Sequence, residues 1–287
     1  MDQSDILIIG VIYNTYPETL RYLESIAPKP SDDIMLILVD NSDGVPSPEF
    51  LIRINDYHFV RYLETGKNLG YFGGAREGLK YFLREHPVCP KWILVTNVDI
   101  IFTPDFFIML REVIDSNDLG IVAPAIISNR WNTDYNPQLL GRIPQWKLTI
   151  YRFLYSNFLI HNAFLAGAYL KKWLYGKFRK RDDDKAAPDQ TGRSIYAPHG
   201  SCLVFHRNYF TRGGTLDIPQ FLFGEEIMVA ETALKLKLDI VYHPSLVIHD
   251  HEHASIGFFV TRKINRYYKE SIKSILALYN GSVHGGI

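Results

Sequence analysis

From Ile6 to about Ile127, short apolar runs alternate with longer segments of helical spacing. The runs Ile6–Ile12, Ile34–Val39, Phe59–Leu63, Trp92–Val95 and Gly120–Ile127 are rich in Ile, Val and Leu and have the length of buried strands. Between them, Leu20, Leu23 and Ile26, and later Leu79, Phe82 and Leu83, recur at helical intervals. That order predicts an α/β fold, a mostly parallel sheet with helices on both faces. In such sheets, ligands collect beyond the carboxyl ends of the strands.

Polar residues fall at those ends. The first strand finishes at Tyr13-Asn14, the second at Asp40-Asn41-Ser42-Asp43, the third runs into Gly66-Lys67-Asn68-Leu69-Gly70, and the fourth stops at Asn97-Val98-Asp99. Singly, each is ordinary turn chemistry; repeated, they predict one polar rim. Asp99, within KWILVTNVDIIF, either caps the turn before Thr103-Pro104 or offers a hard oxygen to Mg²⁺ or Mn²⁺ shared with the phosphates of a nucleotide. The stretch GKNLGYFGGAREGL brings glycines to the start of a helix, where the backbone can approach a phosphate closely. It is neither GxGxxG nor a Walker loop, so its spacing alone is a weak signal.

The alternation stops between Asn129 and Ser194. Trp146 to Arg181 mixes Phe, Tyr, Trp and Leu with Lys171, Lys172, Lys177, Arg179, Lys180 and Arg181, and the first acid is Asp182. Gln145, Thr149, Arg152 and Ser156 form a polar helical stripe among apolar neighbours, as on a helix lying at a phospholipid surface. A helical subdomain packing on its own chain, or on a second copy in a homodimer, explains the same pattern. Asp182 to Gly192 reads as a polar loop.

Downstream, LDIPQFLFGEE sets Glu225 and Glu226 before a helix predicted over Ile227–Leu236. Acids there suit the helix dipole, yet consecutive side chains at a helix start diverge, so the pair can divide two tasks. His243, His249, His251 and His253 cluster in YHPSLVIHDHEHAS without the HExxH spacing, and several read as exposed loop residues.

Composition narrows the partners. At 47% hydrophobic and 22% charged, the 287 residues are globular material, enough for one large domain with an excursion. Lys+Arg and Asp+Glu are both 31, which leaves no global basic field for nucleic acid. Cys89 and Cys202 stand far apart, arguing against a disulfide framework or a structural zinc and for a cytoplasmic address. The opening MDQSDILIIGVIYN lacks the basic start of a signal peptide, and no run reaches the roughly 20 apolar residues of a membrane span.

Taken together, Tyr13-Asn14, Val39-Asp40-Asn41-Ser42, Asn68-Leu69-Gly70 with Gly73-Gly74, and Asn97-Val98-Asp99 resemble the successive motifs of inverting glycosyltransferases of family 2, which have the GT-A fold. The bacterial rhamnosyltransferase-like branch is the most similar. The likeness continues through His199-Gly200-Ser201-Cys202-Leu203-Val204, Phe221 to Glu226, and His249 with Ser255. It departs at Glu226, where Asp is usual, at Met228 and Asn97, both commonly Asp, and at Tyr267-Tyr268-Lys269-Glu270.

The resemblance implies one domain, with 1–128 the nucleotide-sugar half, 129–193 the aromatic and basic helical insertion, 194–258 the acceptor and catalytic half, and 259–287 a C-terminal helix. It implies that Glu226 is the base, with Glu225 beside it. Asp40 would accept a hydrogen bond from a pyrimidine, with Tyr13 stacking and Asn14 close by; Asn68, Gly70 and Asn97 would serve the rest of the donor. Gly200 and Ser201 would face the acceptor, and Asp99 with His249 would meet Mn²⁺ or Mg²⁺. The expected reaction moves a sugar from a UDP- or dTDP-sugar to a saccharide, lipid-linked, at the inner membrane face, in surface polysaccharide synthesis. The alternatives are a sugar-phosphate nucleotidyltransferase and an inactive sugar- or nucleotide-binding scaffold. The first would carry a basic Gly-rich loop where Gly10-Val11-Ile12-Tyr13-Asn14 stands.

Overall fold

The computed structural model describes residues 5–27, 33–176, 192–218, 221–251 and 260–280, with the backbone alone for 169–176. The basic residues beyond Gly176, the loop from Asp182, His253 and Ser255 lie outside the described residues.

The predicted strands form. β1 (Ile6–Ile12) pairs in parallel with β2 (Ile34–Asp40) and β4 (Trp92–Asn97), and β2 with β3 (Val60–Glu64). The sheet continues through β8 (Cys202–His206), β6 (Leu119–Ser128), β9 (Asp239–Asp250) and β5 (Ile100–Phe102), with the short β7 (Arg193–Ser194) on β9. β8, β5 and β7 run against the rest, so the sheet is mixed but mostly parallel.

Alternation along β1 shows why two apolar layers are needed. Ile6, Ile8 and Ile12 join one buried cluster with Tyr22, Leu23 and Ile26 of α1 (Tyr16–Ile26) and Phe106 and Leu110 of α4 (Phe106–Glu112). Leu7, Ile9 and Val11 join the other, with Phe72, Leu79 and Phe82 of α3 (Tyr71–Glu85) and Val229 and Ala233 of α8 (Glu225–Lys235). Side chains of period two therefore meet helices on both faces.

The excursion holds α5 (Gln145–Leu154) and α6 (Phe158–Gly176). Leu148 of α5 packs with Met228 of α8 and with Ile272, Ile275 and Leu276 of α9 (Arg262–Tyr279) in a third cluster. That accounts for Met228 as a core side chain. The junction is tied by Arg142, whose guanidinium grips buried Glu231 through 2.7 Å bonds to both oxygens and lies over the Tyr279 ring.

Among the described residues, the histidine-rich stretch is strand through Asp250, with His251 exposed just beyond it. His243 and His249 lie half-buried on β9, a strand whose Pro244 coincides with a shift of register against β6. No 3.6 or strict period-two pattern survives that shift, which hid the strand.

Candidate active site

The carboxyl ends of β1, β2 and β3 do converge. Tyr13 donates its hydroxyl hydrogen to Asp43 at 2.8 Å, and its phenol also feels the Asn68 side chain. Asn14, in the left-handed region at φ 57°, donates its N–H to Ser42 Oγ at 2.8 Å. Asp40 is buried and oriented from both sides, by the Ser42 N–H at 2.8 Å and by the Tyr62 hydroxyl. Tyr13 is 45% exposed, which leaves its ring open for stacking.

The glycine-rich segment is locked onto this rim. Asn68 Oδ1 accepts the Gly70 N–H at 2.9 Å, and buried Asn41 donates from Nδ2 to the Gly70 carbonyl at 2.8 Å. Gly70 has φ +76°, and a β-carbon there would run into the Phe221 carbonyl. Only glycine allows the LFGEE stretch to close over the NLG turn.

Phe223 and Gly224 both take positive φ, 72° and 80°, immediately before α8. Phe223 is the costly one, and its ring is held by stacking on Tyr268 at 4.1 Å, while Phe221 stacks on Tyr267 at 4.8 Å. The kink turns Glu225 inward, where it is buried, and leaves Glu226 partly open.

Glu226 rests against Gly200. A β-carbon on Gly200 would lie 2.8 Å from Glu226 Oε1, so the bare α-carbon is what gives the carboxylate its place. The His199-Gly200-Ser201 turn is itself pinned: Asn136 accepts the His199 N–H at 2.7 Å, His199 Nδ1 meets Ser201 Oγ at 2.9 Å, and Tyr135 stacks on the imidazole. Ser201 accepts the Asn97 N–H through its carbonyl at 3.0 Å, which joins the acceptor-side and donor-side motifs.

Burial, and then the neighbouring Glu226 charge, push Glu225 up to about 8. Burial also raises Glu226, opposed by backbone hydrogen bonds and by one from Gln138. Of the two, Glu225 is the one held mainly protonated at neutral pH. Burial keeps His199 below the usual imidazole range, hence neutral.

At the end of β4, Asp99 Oδ1 is buried. Its carbonyl accepts the His251 N–H, whereas His249 is the register partner of Ile101. Among the described residues, no three His, Cys, Asp or Glu side chains gather to hold a metal ion unaided. A single buried carboxylate oxygen beside the neutral Asn97 fits an ion that takes its remaining oxygens from a ligand such as a diphosphate.

Tyr71 was missed by the sequence reading. It opens α3 between Gly70 and Gly73, its hydroxyl is buried without a hydrogen bond among the described residues, and the charges of Glu225 and Glu226 add to the burial that raises it. Its mark in the sequence is an aromatic hydroxyl set amid glycines.

A family model described as glycosyl transferase family 2 matches residues 7–211. The N-acetylglucosaminyl-diphospho-decaprenol L-rhamnosyltransferase of Mycobacterium tuberculosis, from two strains, is 25% identical over 268 residues, 88% of this chain and 78% of the relative. Among solved structures, a mannosyltransferase from Pyrobaculum calidifontis, in complex with GDP-Man and Mn²⁺, aligns over 99% of this chain and 77% of its own, with TM-score 0.51 and 14% identity. GalNAc-T7 with UDP, GalNAc and Mn²⁺ aligns over 96% and 48%, with TM-score 0.59 and 12% identity. The fold is GT-A.

Proposed function

The chain belongs to glycosyl transferase family 2, and from that premise we propose that it transfers a sugar, with inversion, from a UDP- or dTDP-sugar to a lipid-linked saccharide. Membership leaves the nucleotidyltransferase alternative without support. The acceptor class follows the rhamnosyltransferase relative, whose name specifies a diphospho-decaprenol carrier.

The observation that carries the reading is the seat of Glu226: a carboxyl group against the bare α-carbon of Gly200, beside buried Glu225, at the helix start that closes over the Gly70 turn. Glu226 takes the proton of an acceptor hydroxyl as its oxygen attacks the anomeric carbon, opposite the departing diphosphate. The carbon–oxygen bond to phosphate breaks as the new glycosidic bond forms, so the configuration inverts and no covalent enzyme intermediate is needed. Glu225, holding its proton, spares the base a second negative charge alongside it.

On the donor side, Asp40 takes a hydrogen bond from the pyrimidine and Tyr13 stacks on the ring, with Asn14, Asn68, Gly70 and Asn97 around the ribose and phosphates. Asp99, with His249 of β9 as a second ligand, would hold Mn²⁺ or Mg²⁺ together with the diphosphate. When bound, the cation neutralises charge gathering on the leaving group.

Incubation with UDP- and dTDP-sugars and a lipid-linked saccharide, followed by NMR of the new linkage, tests this. An inverted glycosidic bond is expected; a retained configuration, or nucleotide cleavage to free sugar only, refutes it.

A further inference from the structure

Helix α5 is apolar on two sides. Leu148 and Tyr151 belong to the cluster shared with α9, while Trp146, Ile150 and Phe153, at i, i+4 and i+7, form a stripe facing outward and are 62%, 47% and 65% exposed. Leu159 and Phe164 of α6 extend the exposed apolar surface, at 71% and 38%. A stripe of this kind left in water is costly, and marks a contact surface.

The flank of the stripe is cationic. Between α5 and α9 runs a groove of about 490 Å³ lined by Thr149, Arg152, Phe153, Ser156, Lys269 and Lys273. Its lining contains no acid, and none of its three cations makes an ion pair among the described residues. Glu270, the nearest acid along α9, faces Arg266 at 3.8 Å. No Asp or Glu occurs anywhere between Asp134 and Asp182.

We propose that the α5 stripe and the α5–α9 groove dock this protein on an anionic phospholipid bilayer, with Trp146, Ile150 and Phe153 entering the headgroup boundary and Arg152, Lys269 and Lys273 meeting lipid phosphates. An aromatic and aliphatic stripe bordered by basic residues is the pattern of interfacial helices. A second copy is the poorer occupant: a two-fold contact sets each patch against itself, bringing cations onto cations with no acid in the patch to answer them. The placement also suits the site. Tyr267 and Tyr268, adjacent to Lys269 on α9, are the rings on which Phe221 and Phe223 stack before Glu225 and Glu226. A bilayer on α5 and α9 therefore meets the helix whose rings hold the segment leading to Glu225 and Glu226.

Co-sedimentation with vesicles of phosphatidylglycerol and phosphatidylcholine in equal parts, against phosphatidylcholine alone, tests the surface without any turnover. Its failure thus leaves the transferase reading standing, and the reverse. Binding to the anionic vesicles only is expected, falling as salt rises. Each of Arg152→Ala, Lys269→Ala and Lys273→Ala is expected to weaken it about fivefold, and Trp146→Ser with Phe153→Ser about tenfold or more, with an unchanged melting transition. No vesicle binding, equal binding to both vesicles, or a dimer abolished by Trp146→Ser with Phe153→Ser in the absence of vesicle binding would overturn the proposal.

Discussion

Glu226 and Gly200 are in contact: the Oε1 of one stands 2.8 Å from where a β-carbon on the other would lie. The clash in Gly200→Ala falls on the far end of a side chain, so the variant folds and moves the carboxylate instead. Its kcat is expected to fall about 10- to 100-fold, because small misplacements of a reacting group cost that much. Its melting temperature stays within about 2 °C of the parent, corresponding to less than ~1 kcal/mol. Unaltered kcat would separate Gly200 from the chemistry.

The glutamate pair sets a pH dependence whose sign is determined by the direction of the shifts. Glu225 moves from 4.5 to about 8 on folding because burial and Glu226 disfavour its charge. The folded state therefore binds this proton more tightly, and its contribution to stability is whole below the unfolded value and lost as pH rises through about 8. Glu226, also raised, adds in the same direction. Glu225→Gln should flatten the decline of melting temperature across that window, by about 2–4 °C for each kcal/mol removed. An equally steep decline in the variant contradicts the assignment.

The fold and the site were legible in different measure. Runs of Ile, Val and Leu closed by Asn and Asp announced β1, β2 and β4, because a strand buried on both faces must be apolar to its end and can turn polar only at the rim. The insertion of β8 between β4 and β6 was not legible, since pairing partners distant in sequence leave no local period. Nor were the supports. Asn136, Gln138 and Asn41 act through bonds to His199, Glu226 and Gly70 that exist only once the chain has folded. Motif resemblance pointed to Glu226 as the base with Glu225 beside it, whereas the burial of Glu225 is something that spacing does not encode. The polar stripe of Gln145, Thr149, Arg152 and Ser156 suits an interfacial helix and a helical subdomain packed on its own chain equally well, and the structure sets Thr149, Arg152 and Ser156 in a groove against α9.

Gly70 joins two motifs through its lack of a side chain. Gly70→Ala would combine a left-handed φ of +76° with collision against the Phe221 carbonyl. Left-handed strain and overpacking together destabilise by roughly 2–4 kcal/mol. Denaturant unfolding should show the loss, whereas Gly141→Ala, with nothing within 4 Å of the new carbon, should be close to neutral.

With one buried carboxylate oxygen from Asp99 at the proposed position, metal binding would depend on the nucleotide ligand. Mn²⁺ is expected to bind the ligand-free protein weakly and to bind far more tightly with a nucleoside diphosphate present. Asp99→Ala should abolish that coupling, as read by calorimetry or Mn²⁺ relaxation. Tight Mn²⁺ binding without nucleotide would show that the ion sits elsewhere.

The proposed base, Glu226, takes the acceptor's proton as the sugar is transferred. Transfer of radiolabelled sugar from its nucleotide to a lipid-linked saccharide should be compared in the parent, Glu226→Gln and Glu225→Gln, with donor affinity measured alongside. Glu226→Gln should lose about 10²- to 10⁴-fold in kcat and bind donor as before, while Glu225→Gln, which mimics the protonated neighbour, should keep most of its activity. Full turnover by Glu226→Gln, or a larger loss in Glu225→Gln, would contradict the account.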